Sequence, residues 1–337
     1  MSKHVGLNFG ARFFKVVELG GKGGTAEIVS AQFIPVQNGA FADGQIMDFA
    51  ATSELVAKAY STGSFSSKPS ALALRSGIVV AGVKVPFINE TQLRNNLLFI
   101  ADQYLNINLG EYSVDYNIVR IDKTALTANV VFVANRKDTI SDYVSIFNSA
   151  NVNLGIISDE SIALCNLYVR MQLPMKEPTI ILQTGASETC VIFLENGTFA
   201  RRDRCNIGGD FCNSLLANDA SIPKDEIELA KTNLGNHKSA ESVKKIIETE
   251  YLPKLLDEVD KSMQTYVALG GRAPKRVYLS GGGATTHRLS NAIKDRFGLV
   301  AEVMNPISSI KSSDSETTNI LQQMPAVLNV AIAMALR

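Results

Sequence analysis

The stretch Val5-Gly6-Leu7-Asn8-Phe9-Gly10-Ala11-Arg12-Phe13-Phe14-Lys15-Val16-Val17-Glu18-Leu19 has a second copy 175 residues further on. That copy is Ile180-Ile181-Leu182-Gln183-Thr184-Gly185-Ala186-Ser187-Glu188-Thr189-Cys190-Val191-Ile192-Phe193-Leu194. The two align without a gap. They share Leu7 with Leu182, Gly10-Ala11 with Gly185-Ala186 and Leu19 with Leu194, and both hold an amide, Asn8 and Gln183. Each is an apolar run, a turn of small residues and a second apolar run, which is the pattern of a β-hairpin. Glycine in the turn lets backbone N–H groups come close to a phosphate. One such hairpin in each half of a pseudo-symmetric chain predicts two loops closing on one nucleotide.

The chain around these copies has 337 residues, which implies two to four domains. Hydrophobic residues make up 46%, enough for several cores, and the 20% of charged residues suits an ordinary globular surface. A net charge of zero argues against a nucleic-acid binder, which is usually strongly basic. The densest basic spot, Arg201-Arg202 with Arg204, is too small for a membrane-surface patch. No signal peptide opens the sequence, and no run reaches the ~18 apolar residues of a membrane span. The reading is therefore of a chain without direct membrane insertion. Cys165, Cys190, Cys205 and Cys212 lack CxxC spacing, and His4, His237 and His287 are scattered. No metal site is expected, and the cysteines read as free thiols in a reducing cytoplasm.

Along the chain, a third strand is expected over Ala26–Pro35, a helix over Asp48–Ser61, a loop over Ser64–Pro69 and a strand over Ala71–Leu74. A self-contained block follows: strand Ile78–Pro86, helix Asn89–Leu105 with Asn89 as cap, strands Tyr112–Val119 and Ala128–Ala134, and helix Asp138–Ser149. Strand Val152–Ser158 and helix Ser161–Met171 lead to a hinge at Leu173–Pro178. After the second hairpin come a strand over Gly197–Arg204 and then Gly208-Gly209. Helices are expected from Asp210, over Lys224–Leu234 and over Ser239–Leu269. Strand Arg276–Leu279 enters Ser280-Gly281-Gly282-Gly283-Ala284. Helices His287–Phe297 and Pro325–Leu336 close the sequence, with a polar loop over Ser308–Thr318.

Several of these residues suit an anionic ligand. Gly10, Ala11 and Arg12 form the first turn, and Lys15 sits just past it with an ammonium that can reach a phosphate. A strand running into Gly281, Gly282 and Gly283 and then a helix lays bare backbone against a ligand, beyond what a tight turn alone requires. Glu228 and Lys231, at i and i+3, share one helix face. Such a pair is commonly solvated, but beside a nucleotide it suits the ribose and base.

The order of these features resembles the actin/Hsp70/sugar-kinase superfamily over essentially the whole chain. The block after Leu74 is similar to the subdomain of its FtsA and PilM branch. The closing Asn329-Val330-Ala331-Ile332-Ala333-Met334-Ala335-Leu336-Arg337 is similar to the ending of the PilM family of type IV pilus assembly. FtsA continues into a membrane-binding amphipathic helix and GspL carries a transmembrane helix; neither is expected here. The resemblance implies an α/β, actin-like fold of duplicated ribonuclease-H-like halves with an inserted SHS2-type α+β subdomain. The implied first domain covers residues 1–75, completed by 151–175 and 322–337, with the inserted subdomain over 76–150. The second domain covers 176–210 and 274–321, and a helical subdomain covers 211–273.

By motif, the resemblance puts Gly10, Ala11, Arg12 and Lys15 at the first phosphate loop and Gly185, Ala186 and Ser187 at the second. Gly208 and Gly209 follow that loop. Glu228 and Lys231 fall at the ribose and base, and Gly281, Gly282 and Gly283 along the adenosine of ATP or ADP.

The superfamily usually has aspartates where this chain has Asn8 and Gln183, and those carboxylates organise Mg²⁺ and the attacking water. At ~5 Å and an effective dielectric of ~20, each missing charge removes on the order of 3 kcal/mol of attraction to a unit positive charge. Metal binding and hydrolysis should both weaken, unless Asp203 or Asp210 compensates. The expected function is a cytoplasmic scaffold with no catalytic residues and a degenerate nucleotide site. It would be held peripherally at the inner membrane by the N-terminal cytoplasmic tail of a PilN-like protein and would stand near the pilus assembly ATPase. The tail is expected in a groove between the first domain and the inserted subdomain, with Ile78–Val85 as a candidate edge. The alternatives are an FtsA-like filament or division protein and a small-molecule kinase of the same superfamily.

Overall fold

A computed structural model describes residues 3–336 except 22–25, 38, 43–44, 64, 67–68, 220–221, 233, 307–309, 313–317, 320 and 323. The first half runs β1 (His4–Phe9), β2 (Phe13–Gly20), β3 (Glu27–Pro35), β4 (Phe41–Ala42), β5 (Gln45–Ile46), α1 (Phe49–Gly63) and β6 (Ser70–Leu74). It continues with β7 (Ile78–Pro86), α2 (Glu90–Leu105), β8 (Tyr112–Asp122), β9 (Thr127–Arg136), α3 (Lys137–Ser149), β10 (Leu154–Asp159) and α4 (Glu160–Arg170). The second half opens with β11 (Thr179–Thr184), β12 (Thr189–Glu195), β13 (Thr198–Cys205), α5 (Gly209–Leu216), α6 (Ile227–Thr232), α7 (Ala240–Ile246) and α8 (Leu252–Ala268). It closes with β14 (Arg276–Ser280), α9 (Leu289–Phe297), β15 (Val300–Val303), β16 (Lys311–Ser312) and α10 (Asn329–Ala335).

Two main sheets carry the duplication. One is ordered β10-β6-β1-β2-β3-β16 and the other β13-β12-β11-β14-β15. In each, an antiparallel hairpin meets parallel strands at the edge of its first strand. The hairpin registers coincide: His4 faces Leu19 and Phe9 faces Phe14, as Thr179 faces Leu194 and Thr184 faces Thr189. The two turns close alike, with Gly10 N–H donating to the Phe13 carbonyl and Gly185 N–H to the Glu188 carbonyl. Side chains alternate across a strand, so this shared register puts Asn8 and Gln183 at equivalent places.

The helices α4 and α10 bring apolar residues of both sheets into one core. All of α10 is buried, as its apolar run Val330–Ala335 requires, with Asn329 at its start hydrogen-bonded. It packs so closely on β1 that a Cβ on Gly6 would run into the Ala331 carbonyl and the Ala335 backbone nitrogen. On the far face of the second sheet, α5 to α9 bury a separate core with Tyr251, Leu255 and Val259 at its centre.

The structure corrects several expectations. The block over 76–150 is divided by packing. Strands β7, β8 and β9 form a three-stranded sheet with its own core under α2, capped by the Asn89 side chain. Helix α3 instead buries Tyr143, Ile146 and Phe147 among residues of β1, β2 and α1, so it belongs to the first lobe. The long helix over Ser239–Leu269 is interrupted by a π-helical turn, Ile247–Tyr251. Pro253 lies just beyond and has no N–H to continue the ladder, a usual companion of such a turn. Helix α9 starts at Leu289 because Arg288 is left-handed, and helix over Pro325–Leu336 forms only from Asn329. Within the loop over Ser308–Thr318, Lys311-Ser312 pairs with β3, while residues 308–309 and 313–317 lie outside the described residues. So do residues 64 and 67–68 of the loop before β6, and residue 337 of the closing motif.

Candidate functional site

Strands β1, β6 and β10 run parallel, and so do β11 and β14; their carboxyl ends meet between the lobes. Ligands gather at such strand ends, because the loops that follow are free to vary there.

From the first lobe, Asn8 holds the Lys15 ammonium directly across the hairpin, with Nζ to Oδ1 at 2.9 Å. Lys15 lies under the turn, its Nζ 3.3 Å from where a Gly10 Cβ would stand. Burial lowers the Lys15 pKa, opposed by Glu160 and reinforced by Arg75. Glu160 opens α4, where Asp159 accepts from the Ser161 and Ile162 N–H groups as cap. Burial raises the Glu160 carboxyl, against the pull of Arg204 and Lys15.

From the second lobe, Gln183 Nε2 donates to Glu160 Oε1 at 3.2 Å, while its Oε1 is buried without a partner. Arg75, just past β6, donates to Ser187 Oγ at 2.7 Å, and Arg204 donates to Glu188 at 2.6 Å. Within the two turns, the N–H groups of Ala11, Arg12, Ala186 and Ser187 have no backbone acceptor among the described residues.

The remaining sequence-selected residues fall in three places. Gly208 and Gly209 dock on the second turn: a Cβ on Gly208 would lie 2.5 Å from the Ala186 oxygen, and Gly209 N–H donates to the Gly185 carbonyl at 3.0 Å. Asp210 N–H donates to the Ala186 carbonyl at 2.7 Å, so the start of α5 fixes the turn. Gly281, with φ of 85°, and Gly283 abut Thr184 at the end of β11, while nothing stands within 4 Å of a Cβ on Gly282. Ser280 and Gly281 are tied to the start of α10 and the strap before it: Asn329 Nδ2 donates to Ser280 Oγ at 3.0 Å and Gly281 N–H to the Ala326 carbonyl at 3.2 Å.

Glu228 and Lys231 do pair, at 3.3 Å, and Asn213 bridges them. Arg12 reaches this group from the other lobe and pairs with both Asp210 and Glu228. Burial pushes the Glu228 carboxyl up, but Lys231, Asn213 and Arg12 outweigh it and leave it below its ordinary value.

Of the acids named as compensators, Asp210 is committed to Arg12. Asp203 pairs with Arg201 at 2.7 Å, on the face of β13 opposite Arg202 and Arg204. Glu160 and Glu188 are the acids that stand in the site; sequence reasoning missed Glu160, as it missed Arg75 and Arg204. Their signal was position: Arg75 and Glu160 directly follow parallel strands β6 and β10.

A nucleoside phosphate fits this arrangement of free turn N–H groups, cationic side chains and an open glycine loop. Mg²⁺ does not fit its donor set. Two of the expected carboxylates are amides, one of them already accepting from an ammonium, and Glu160 is surrounded by Lys15, Arg75 and Arg204. Among the described residues no cluster of three or more His, Cys, Asp or Glu side chains could hold a metal ion.

Residues 6–337 match the family model described as type IV pilus assembly protein PilM. The chain belongs to this family. Among solved structures, it is similar to a chain of a PilM-PilN type IV pilus biogenesis complex, with a TM-score of 0.82 at 18% identity, covering 99% of this chain and 98% of that one. The ethanolamine utilization protein EutJ from Carboxydothermus hydrogenoformans gives a TM-score of 0.58 at 16% identity, covering 100% and 90%. MreB 5 of Spiroplasma citri bound to AMPPNP gives 0.55 at 12%, covering 99% and 95%. These likenesses establish the actin-like fold, and the last of them holds a nucleotide analogue. Among the described residues of this PilM-family chain, no helix is long and apolar enough to cross a membrane.

Proposed function

We propose that this PilM-family protein is a cytoplasmic scaffold of a type IV pilus machine that docks the N-terminal tail of a PilN-like inner-membrane protein. The observation that carries this reading is the family match over residues 6–337, joined to near-complete superposition on a PilM-PilN complex chain. The tail would lie between the first lobe and the β7–β9 sheet. There β7 is partly engaged already: Arg202 donates to the Ile78 carbonyl at 2.7 Å, and Gly82 sits against Phe199 and Ala200. Strand β8 pairs on one side only, leaving an edge that an extended peptide can join.

The cleft binds ATP or ADP without turning it over. Asn8 and Gln183 carry no charge to organise a metal and a water, so nucleotide would act as a structural ligand. Two measurements test the pair of claims. A fluorescent peptide copying the tail of the cell's PilN-like protein should bind saturably by anisotropy, and purified protein should release negligible phosphate from Mg-ATP. Absence of peptide binding at ~100 μM, where even a weak specific contact registers, would remove the docking reading. Phosphate release at the rate of an ordinary kinase would remove the non-catalytic one.

A further inference from the structure

The inter-lobe site has lost the carboxylates that serve a divalent metal, yet it has gathered cations. Lys15 lies under the first turn with one of its three N–H donors on Asn8 Oδ1. Arg75 stands at the second turn, 2.7 Å from Ser187 Oγ and 3.9 Å from Glu188. Arg204 pairs with the same Glu188 oxygen, at 2.6 Å. Glu188, Glu160 and, for Arg204, Asp159 oppose these three charges, and burial favours the protonated form of Glu160. A half-buried cation with an amide on its ammonium is short of a counter-charge. A phosphate supplies one through charge-assisted hydrogen bonds. A divalent ion here would instead sit among three positive side chains.

Resting on the nucleotide reading above, we propose that the cleft takes a nucleoside di- or triphosphate free of divalent metal, with Lys15 and Arg75 standing in for the metal against the phosphates. The free N–H groups of Ala11, Arg12, Ala186 and Ser187 take the remaining phosphate oxygens. The buried Oε1 of Gln183, which lacks a donor, accepts a water hydrogen-bonded to the phosphate. Adding Mg²⁺ then masks the ligand's charge and weakens its hold on the site, the reverse of the usual dependence.

The test is titration of the full-length protein with the fluorescent nucleotide mant-ADP, in excess MgCl₂ and in EDTA, with wild type, Lys15→Met, Arg75→Gln and Lys15→Arg. Wild type should bind in EDTA at least as tightly as in MgCl₂. Lys15→Met and Arg75→Gln should each weaken binding by about tenfold in both buffers, while Lys15→Arg, which keeps the charge, retains most of it. Two separate variants guard against one that fails to fold, which its circular dichroism would reveal. Binding about tenfold tighter with Mg²⁺ than in EDTA overturns the metal-free proposal and leaves the nucleotide reading standing. No binding in either buffer overturns both.

Discussion

Glu160 shows what one half-buried carboxyl does to such a site. Burial holds its pKa above the ordinary 4.5 in spite of Arg204 and Lys15, so the folded protein keeps this proton to higher pH than the unfolded chain does. Well below pH 4.5 both states are protonated and the group is neutral to stability. As pH rises from 4.5, where the unfolded carboxyl ionises first, to the folded pKa, a penalty for the buried charge builds, and above the folded pKa it is complete. Glu160→Gln keeps an acceptor for Gln183 and removes that penalty. Its melting temperature should exceed wild type by roughly 1–3 °C at about pH 8 and match it near pH 4.5. An equal gain at both pH values would trace the effect to packing instead. At this scale the sequence was readable where the chemistry is local: Asn8, Gly10 and Lys15 lie within eight consecutive residues, and so their grouping shows in the pattern. Glu160 was unreadable because its neighbours Lys15, Arg75, Gln183 and Arg204 come from four other segments, and only the meeting of strand ends joins them.

Among the elements, the hairpins were legible to the residue because a two-fold alternation and a glycine turn fix their register. The π turn was not: a helical pattern with an internal proline can kink, break or widen, and the tertiary packing of Tyr251 decides which. Helix α3 was misassigned for a related reason. Its periodicity announces a helix with one apolar face but not which core receives that face. The start of α4 carries a prediction of its own. Asp159 is fully buried, caps the helix and pairs with Arg202, whose other contacts are Ser161 and Ile78. Asp159→Ala should cost about 3–5 kcal/mol in urea unfolding, because it strands a guanidinium as well as a helix end. Asp159→Asn, which keeps the cap acceptor, should cost clearly less. Equal losses would mean that the cap contributes nothing and that the charge pair with Arg202 carries the whole effect.

At the scale of the whole molecule, Arg12 ties the mouth of the cleft while the shared core around α4 and α10 ties its base. The mouth pairs are half-exposed, so each is worth only a few tenths of a kcal/mol. Together they amount to about 1 kcal/mol, or roughly fivefold in the closed-to-open ratio, and salt should erode that. Arg12→Ala should therefore speed amide hydrogen exchange in α6 about fivefold at low salt and hardly at all in high salt, where wild type is already loosened. Unchanged exchange at low salt would show that the latch does not govern opening. The close seating of α10 on Gly6 bears also on how the protein comes off the ribosome. The residues that fill the face of β1 are translated about 325 positions after it, which at cellular elongation rates is a wait of roughly 15–65 s. During that interval the opening strands are made but cannot finish their core. The second lobe, whose sheet and far-face helices lie within Thr179–Val303, can assemble first as a nearly continuous unit. Synthesis order and completion order of the two lobes are thus reversed, and the face of β1 stays uncovered until the late helix arrives.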